Sequence, residues 1–390
     1  MEIRKIQRTG GSSFAISLPK EWVHTNSLKE GDSVALEALS SGELLVFPFG
    51  KEPFFGEYSL EIEGDVDPEH VLRTLIAIYL KGYDGILIKS EPMITEKLRE
   101  AVTNFTTQVI GVEVMEETRD AITLKDLMGS PEIEPLKILL RMSSMVSAGI
   151  RDVESCLENP RPPLLKEVVE RDSQIDKLYL LLDREFNKAI RYPLYAERLG
   201  ADLRGLWATR NASKQIERIG DHVESAANLL LQYGRPLTAK GLRELFDEAL
   251  DTFERAFDAY TKEDVQASQE LIDQVERASA EVSSLLQSYE SGGTVYALLL
   301  AEDLVRIMFY SADIAEGAID LGIKRAKRSK SRGLSKETYI VYVENTYLAG
   351  NDVTRHAKEI LGGCGFGACY SGGRPRLALL RKFGSEGNAY

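Results

Sequence analysis

The strongest constraint on the fold is the long helical periodicity of the second half of the chain. After Pro131 the apolar residues recur at helical spacing, and β-branched residues become few. Breaks rich in proline and glycine divide residues 133–233 and residues 237–325 into three segments each, because a proline cannot continue a helix. The breaks lie at 159–163, 191–193 and 234–236, near Thr261, and at 292–293. The sequence therefore predicts two three-helix units in tandem, a pattern typical of internal duplication.

Residues 1–50 have a different character, with short β-branched runs separated by glycine and proline. The runs IRKIQRTGGSSFAISLP, DSVALEA and ELLVFPF predict strands and hairpin turns. A unit of this size buries only about 60% of the surface of its unfolded chain, and four short strands leave open edges. We therefore expect the amino-terminal unit to need a second copy of the chain.

Two further segments complete the predicted organisation. Residues 58–128 alternate strands and helices, which predicts a small α/β domain, and they contain no phosphate loop or catalytic signature. Residues 334–390 predict a helix that ends near Leu361, followed by a Gly-rich tail without sustained periodicity. The ligand of the α/β domain and the role of the tail stay open.

Charge and cysteine content restrict where the chain works and what it binds. Of the 390 residues, 48 are Lys or Arg and 61 are Asp or Glu, so the net charge of −13 repels nucleic acid at long range. Any DNA contact must therefore be local. Three cysteines cannot form a disulfide scaffold and suit a reducing compartment. The sequence contains neither a signal peptide nor a membrane span, so we expect a cytoplasmic protein.

Four carboxylates on successive helices of the first unit are candidate metal ligands. Asp172 and Asp176, and likewise Glu217 and Asp221, are four residues apart and share one helix face beside an apolar stripe. Like charges at this spacing cost roughly 0.2–0.5 kcal/mol per pair, and a bound cation removes that conflict. Oxygen ligands favour Mg, Ca or Mn, and multinuclear iron sites also use carboxylates. The alternative is an acidic, solvated face without an ion.

The sequence ERDSQIDKLY, followed by ASKQIERIGDHVESAANL, resembles the repeat of the PhoU family of phosphate-uptake regulators. The resemblance covers about 133–233. It implies control of phosphate uptake and a multinuclear metal cluster held by Asp172, Asp176, Glu217 and Asp221. It leaves the metal open among iron, Mg, Mn and Zn. His222 follows Asp221 but points about 100° away along the helix, so we interpret it as structural.

The second unit keeps the helical plan of this family and departs from its motif. Alignment of the apolar pattern places Val305 and Phe309 where Glu217 and Asp221 stand in the first unit. Val275 and Ser279 then oppose the other pair, in a less certain register. We therefore expect at most one metal centre per chain, located in the first unit.

The amino-terminal sequences RKIQRTGGSSFAISLPKEW and LKEGDSVALEALSSGELLVFP resemble the SpoVT/AbrB swapped-hairpin family. The resemblance implies a β-barrel that two chains build by interlacing their hairpins, with DNA contacts from basic residues. The matching positions are Arg4, Lys5, Arg8 and Lys20. Residues 1–30 carry five basic side chains against three acidic ones, a local excess of positive charge that suits phosphate contacts. The alternative is a domain that only dimerises.

Taken together, these features predict a multidomain chain with a swapped-hairpin β-barrel, a small α/β domain and mainly α tandem bundles. The predicted function is that of a cytoplasmic, non-enzymatic, phosphate-responsive transcriptional regulator that binds DNA as a homodimer. The alternative is an adaptor that contacts a phosphate transporter or a sensor kinase without binding DNA. A third class, a two-metal hydrolase, lacks a recognisable general base.

Overall fold

A computed structural model of the chain shows a small β-rich amino-terminal region followed by a mainly helical structure. The chain separates into two compact units, Met1–Lys324 and Arg325–Tyr390. The structure describes residues 2–9, 13–38, 42, 44–49, 56–64, 66–128, 134–192, 195–196, 199–200, 202–286, 294–323, 339–340, 366–371 and 374–380.

The amino-terminal region forms two antiparallel hairpins, as the sequence predicts. In the first hairpin Arg8 lies opposite Phe14, and in the second Leu36 lies opposite Val46. In one chain the hairpins form two separate two-stranded sheets, so closure of a barrel by two copies stays a prediction. The elements are β1 (Gln7–Thr9), β2 (Ser13–Ala15), α1 (Lys20–Thr25), β3 (Val34–Ala38) and β4 (Leu44–Pro48).

The α/β domain has the predicted alternation of elements. Its four strands lie in the order β5-β6-β8-β7, with β5 parallel to β6 and the other pairs antiparallel. The parallel pair requires a crossover, which α2 provides. The side chains of Asp67 and Thr95 cap α2 and α3 by accepting hydrogen bonds from backbone N–H groups. The elements are β5 (Glu57–Glu63), α2 (Pro68–Leu80), β6 (Gly85–Glu91), α3 (Glu96–Gln108), β7 (Val112–Glu117) and β8 (Ala121–Asp126).

The described residues that follow form six long helices, in two sets of three. The breaks predicted at 159–163 and 234–236 and near Thr261 lie between these helices, whereas the break predicted at 292–293 lies outside the described residues. Proline occupies the first turn of α4 and of α5, and α6 ends at Gly234, whose φ of 67° a glycine adopts without strain. The helices are α4 (Pro135–Ser155), α5 (Pro162–Arg191), α6 (Leu203–Tyr233), α7 (Leu242–Lys262), α8 (Val265–Leu286) and α9 (Thr294–Gly322).

The two sets of helices share one continuous apolar core. Buried residues of the first set, such as Val146 and Ile216, belong to the same cluster as Phe253 and Leu304 of the second set. Helix α6 contacts α4, α5 and α9 and therefore lies at the centre of the bundle. In the part of the chain that the structure describes, no helix is both long enough and apolar enough to cross a membrane.

A buried ionic network joins α5 to the α/β domain. Arg184 donates to Asp126 at 2.6 Å and to the carbonyl oxygen of Tyr83 at 3.0 Å, and Lys188 approaches the same carboxylate at 3.3 Å. The side chains of Arg184, Lys188 and Asp126 are 1%, 4% and 5% exposed. At Gly82 a Cβ atom would lie 2.6 Å from Lys188 Cγ, so this turn requires a glycine.

The carboxyl-terminal unit contains three short strands, β9 (Tyr339–Ile340), β10 (Phe366–Ser371) and β11 (Arg374–Leu380). They pair antiparallel in the order β10-β11-β9. This differs from the prediction of a tail without regular structure, because the apolar run of β11 finds a partner strand in β10 despite the surrounding glycines. The helix predicted to end near Leu361 lies outside the described residues.

Candidate metal centre

Two antiparallel helices, α5 and α6, position the predicted carboxylates. Their packing is fixed by Ile175 on α5 and by Ile216 and Ile219 on α6, which are all buried in the core. Cross-helix contacts set the register, since Arg210 donates to Asp183 at 2.6 Å and Lys214 Nζ lies 4.7 Å from the ring of Tyr179. The candidate metal ligands lie on the next turns of the two helices, beyond these contacts.

Three of the four predicted ligands come together. Asp172, Asp176 and Asp221 each offer a carboxylate oxygen, and these oxygens lie within 4.8 Å of one another. Asp172 is buried, Asp176 is half-buried and Asp221 is exposed, so the group lies at the edge of the bundle with access from solvent. We call these three residues the aspartate cluster.

Gly220 gives Asp172 the room it occupies. A Cβ atom at Gly220 would lie 2.9 Å from Asp172 Oδ1 and 3.3 Å from Ile175 Cδ1. Asp172 Oδ1 is fully buried and has no hydrogen-bond partner among the described residues. Burying a polar oxygen without a partner is costly, so this atom is a candidate ligand for a cation.

The cluster holds its protons more tightly than ordinary carboxyl groups. Loss of solvent, together with the charges of Asp176 and Asp221, raises the pKa of Asp172 to about 8. Loss of solvent and the charge of Glu217 raise the pKa of Asp176 to about 6, and the same two causes raise the pKa of Asp221. Such shifts mark carboxylates whose mutual repulsion is relieved by protonation or by a cation.

The fourth predicted ligand, Glu217, has a different partner. Both of its carboxylate oxygens accept hydrogen bonds from Lys214 Nζ, each at 2.6 Å. The sequence reasoning did not single out Lys214, although its spacing of three residues from Glu217 on one helix places the two side chains side by side. It also passed over Glu224, whose charge raises the pKa of all three clustered aspartates.

His222 points away from the cluster. Its Nδ1 lies 2.8 Å from Asp303 Oδ1 on α9, and its ring stacks on Tyr310 with a centroid distance of 5.7 Å. These contacts are those of a residue that joins α6 to α9, in line with the structural role predicted from the sequence.

The aspartate cluster fits a hard divalent cation. Its donors are carboxylate oxygens on a rigid helix pair, one of them buried without a partner, and the site opens to water on one side. Such donors suit Mg or Mn, whereas Zn prefers nitrogen and sulfur ligands. A bound cation would supply positive charge at the surface of the bundle, and Asp172, Asp176 and Asp221 would hold it.

The corresponding positions of the second unit are less acidic. Val275 is buried and Val305 packs against the core, while Phe309 is partly exposed on α9. Within the described ranges, no further group of three metal-ligating side chains is found there.

The predicted DNA-binding residues lie on the surface of the amino-terminal region. Arg4, Lys5, Arg8 and Lys20 are all exposed. Arg8 lies on β1 and Lys20 is the first residue of α1, while Arg4 bonds Glu2 and donates to Ser17 Oγ at 3.3 Å.

Large apolar side chains of the same region are exposed as well. Phe14 is 73% exposed and Leu36 is 62% exposed, although both belong to strands. A single chain therefore leaves the apolar positions of its hairpins in contact with water, which is unfavourable for an isolated domain.

Comparison with known families agrees with these features. Residues 139–230 match the model of the PhoU domain. The first helical unit is a PhoU domain. Residues 7–53 match the family described as Antidote-toxin recognition MazE, bacterial antitoxin, so both resemblances predicted from the sequence are confirmed. No curated protein matches the chain.

Solved structures similar to this chain include two PhoU proteins. The phosphate transport system regulatory protein PhoU from Streptococcus pneumoniae is 19% identical, with a TM-score of 0.41, covering 49% of this chain and 94% of its own. PhoU from Pseudomonas aeruginosa is 21% identical, with a TM-score of 0.41, covering 48% of this chain and 94% of its own.

Proposed function

We propose that this protein is a phosphate-responsive transcriptional regulator of the cytoplasm. The observation that carries the proposal is the presence of a PhoU domain and a MazE antitoxin domain in one chain. The first indicates phosphate regulation and the second indicates DNA binding. We infer that the chain acts through binding rather than catalysis, with DNA, a second copy and a signal linked to metal or phosphate as its ligands.

The amino-terminal region supports the DNA-binding part of the proposal. Exposed Arg and Lys side chains on the first hairpin and beside it suit contacts to the phosphate backbone, which position a protein on DNA without reading its sequence. The net charge of −13 opposes binding elsewhere on the molecule. DNA contact is thereby restricted to this end of the chain.

The exposed apolar residues support dimerisation. A second copy that interlaces its hairpins with the first would cover side chains such as Phe14 and Leu36 and pair the open strand edges. The dimer would present two sets of basic residues, which suits two half-sites on DNA.

The aspartate cluster supports the sensing part. Asp172 and Asp176 on α5 and Asp221 on α6 would hold a cation together, and its binding would favour one arrangement of that helix pair. Because α5 continues into the buried network with the α/β domain, a change in the helix pair reaches the rest of the chain through a rigid joint.

The test is a titration of the full-length protein with a pool of DNA fragments at two salt concentrations, with and without phosphate and Mn²⁺. We expect salt-sensitive binding, and we expect Arg8→Ala to lower the salt slope by about one unit per chain. Lys137→Ala, an exposed lysine on α4, serves as the control. Binding without salt dependence, or binding that Arg8→Ala leaves unchanged, would contradict the proposal that the amino-terminal region binds DNA.

The alternative remains an adaptor that contacts a phosphate transporter or a sensor kinase. It predicts that the full-length protein co-purifies with such a partner and shows no retention by DNA. The amino-terminal region would then serve for dimerisation alone.

A further inference from the structure

Lys214 is a positively charged side chain that the bundle holds at one end of the aspartate cluster. Its Nζ contacts both oxygens of Glu217 at 2.6 Å and lies 4.7 Å from the ring of Tyr179. The cation–π contact and the paired hydrogen bonds restrain an otherwise flexible side chain. The position of this ammonium group is therefore a property of the fold.

The ammonium group lies where the carboxylates of α5 and α6 face each other. Glu217 lies one helical turn before Asp221 on α6, and Tyr179 lies three residues after Asp176 on α5. Because the Nζ atom bonds Glu217 and contacts the ring of Tyr179, it lies next to the turns that carry Asp221 and Asp176. Farther along the helix pair, the buried Oδ1 of Asp172 has no hydrogen-bond partner among the described residues.

We propose that the Lys214 ammonium takes the place of a second metal ion, so that the aspartate cluster binds one divalent cation per chain. The inference rests on the metal site proposed above. A multinuclear centre would need the Glu217 oxygens as ligands, and both are engaged by Lys214. Lys214 is therefore the residue that determines how many ions this site accepts.

Charge balance supports the same conclusion. With all four carboxylates ionised, one divalent cation and the ammonium group leave a single negative charge, which solvent at the open edge can accommodate. A second divalent cation beside the ammonium group would bring like charges together in a partly desolvated site, which is costly. Removing the ammonium group frees Glu217 and restores the charge that a second cation requires.

The experiment measures Mn²⁺ stoichiometry of the full chain by calorimetric titration and by elemental analysis after gel filtration. We expect about one ion per chain in the wild type and about two in Lys214→Met, because Glu217 becomes an available ligand. Lys214→Arg keeps the positive charge and should return the value to one. Lys214→Met/Glu217→Gln should also bind one ion, because the freed carboxylate is gone.

Arg218→Gln is the matched control. It removes one positive charge from the same helix, but the guanidinium contacts Tyr310 rather than the carboxylates. Its stoichiometry should stay at one. Circular dichroism checks that each variant is folded, and Lys214→Gln, which also removes the charge, replaces Lys214→Met should the latter not fold.

The outcomes separate the two proposals. One ion per chain in both the wild type and Lys214→Met, or two ions in the wild type, would overturn the role of Lys214 and leave the metal site in place. No bound ion in the wild type would overturn the metal site itself.

Discussion

The fold buries three chemically identical side chains, those of Asp172, Asp176 and Asp221, to different extents. Asp172 is buried beside Gly220, Asp176 is half-buried and Asp221 is exposed. Depth and mutual repulsion decide how readily each one ionises, so the pKa falls from about 8 at Asp172 to about 6 at Asp176. The cost of keeping such a group ionised would favour a bound cation at the proposed metal site.

The first prediction concerns pH. Because burial and its neighbours raise the pKa of Asp172 from 3.8 to about 8, the metal-free folded state binds a proton more tightly than the unfolded state. The free energy of unfolding should therefore fall as pH rises from 4 towards 8. Asp172→Asn should remove part of this fall and stabilise the metal-free protein at pH 8 by about 1–3 kcal/mol, after allowance for solvent screening.

Urea unfolding in chelator at pH 5 and pH 8 measures this effect. Asp258→Asn, at an exposed carboxylate paired with Lys262, is the control and should leave the pH dependence unchanged. A wild-type protein equally stable at both pH values would contradict the argument.

The second prediction concerns the glycine in the cluster. Gly220→Ala places a Cβ atom 2.9 Å from Asp172 Oδ1 and forces this oxygen to move. We expect the affinity of the protein for Mn²⁺ to fall by about tenfold or more. The free energy of unfolding of the metal-free protein should not show a loss of the same size. Gly317→Ala on α9, where the Cβ atom would meet the ring of Tyr260 at an ordinary 3.6 Å, should leave affinity unchanged. Equal affinity in all three proteins would show that Asp172 does not hold the ion.

At this scale the sequence predicts which acidic residues share a helix face and leaves out how they pair across helices. The spacing of Asp172 and Asp176 is common in an acidic chain, and the pair is selected by its position beside an apolar stripe and by the resemblance to the PhoU repeat. The approach of Asp221 to the pair on α5 depends on the register of α5 against α6, and the bonds of Lys214 to both oxygens of Glu217 depend on side-chain conformation. Spacing determines neither of these.

At the scale of elements, α5 is the component that connects the parts of the chain. Its middle carries two members of the cluster, and its end carries Arg184 and Lys188 in the network with Asp126 of β8. The rise of 1.5 Å per residue separates these two regions by about 12 Å along one rigid helix.

The third prediction tests this joint. Asp126→Asn leaves two buried cations without their shared carboxylate partner, and the expected loss is about 3–5 kcal/mol in the free energy of unfolding. Glu254→Gln, which breaks an exposed pair with Arg151, should cost less than about 1 kcal/mol. Guanidinium unfolding of the two variants measures both values, and similar small losses would show that the joint is not an energetic connection.

The helices themselves follow from local rules. Proline in the first turn of α4 and α5 and the glycine after α6 are signals that a chain carries in its sequence. The attachment of α5 to β8 joins residues far apart in sequence, so no local pattern predicts it. The local sequence also does not predict the strands β10 and β11. Glycine lowers the strand propensity of this segment, and the strands form because they pair with each other.

At the scale of the whole molecule, the described part of the amino-terminal region differs from the rest of the chain in how little apolar surface it buries. Its hairpins expose apolar side chains and leave strand edges unpaired, whereas the α/β domain and the helical bundle each have a buried core. Association with a second copy, as proposed above, would stabilise the region and would bring together two sets of the basic residues.

The fourth prediction follows. We expect the full chain to be a dimer in sedimentation equilibrium, and Phe14→Asp, which places a charge on the exposed apolar surface of β2, should convert this dimer to a monomer. Met115→Asp, at a comparably exposed residue of β7, should leave the dimer intact. A dimer that survives Phe14→Asp would place the interface elsewhere.

The most direct test of the metal centre is the metal content of the purified full-length protein, compared with that of an Asp176→Ala/Asp221→Ala double variant. The double variant removes two of the three ligands and leaves the apolar packing of α5 and α6 in place. The account predicts about one divalent ion per chain in the wild type and none in the variant. Equal metal content in the two proteins would contradict it.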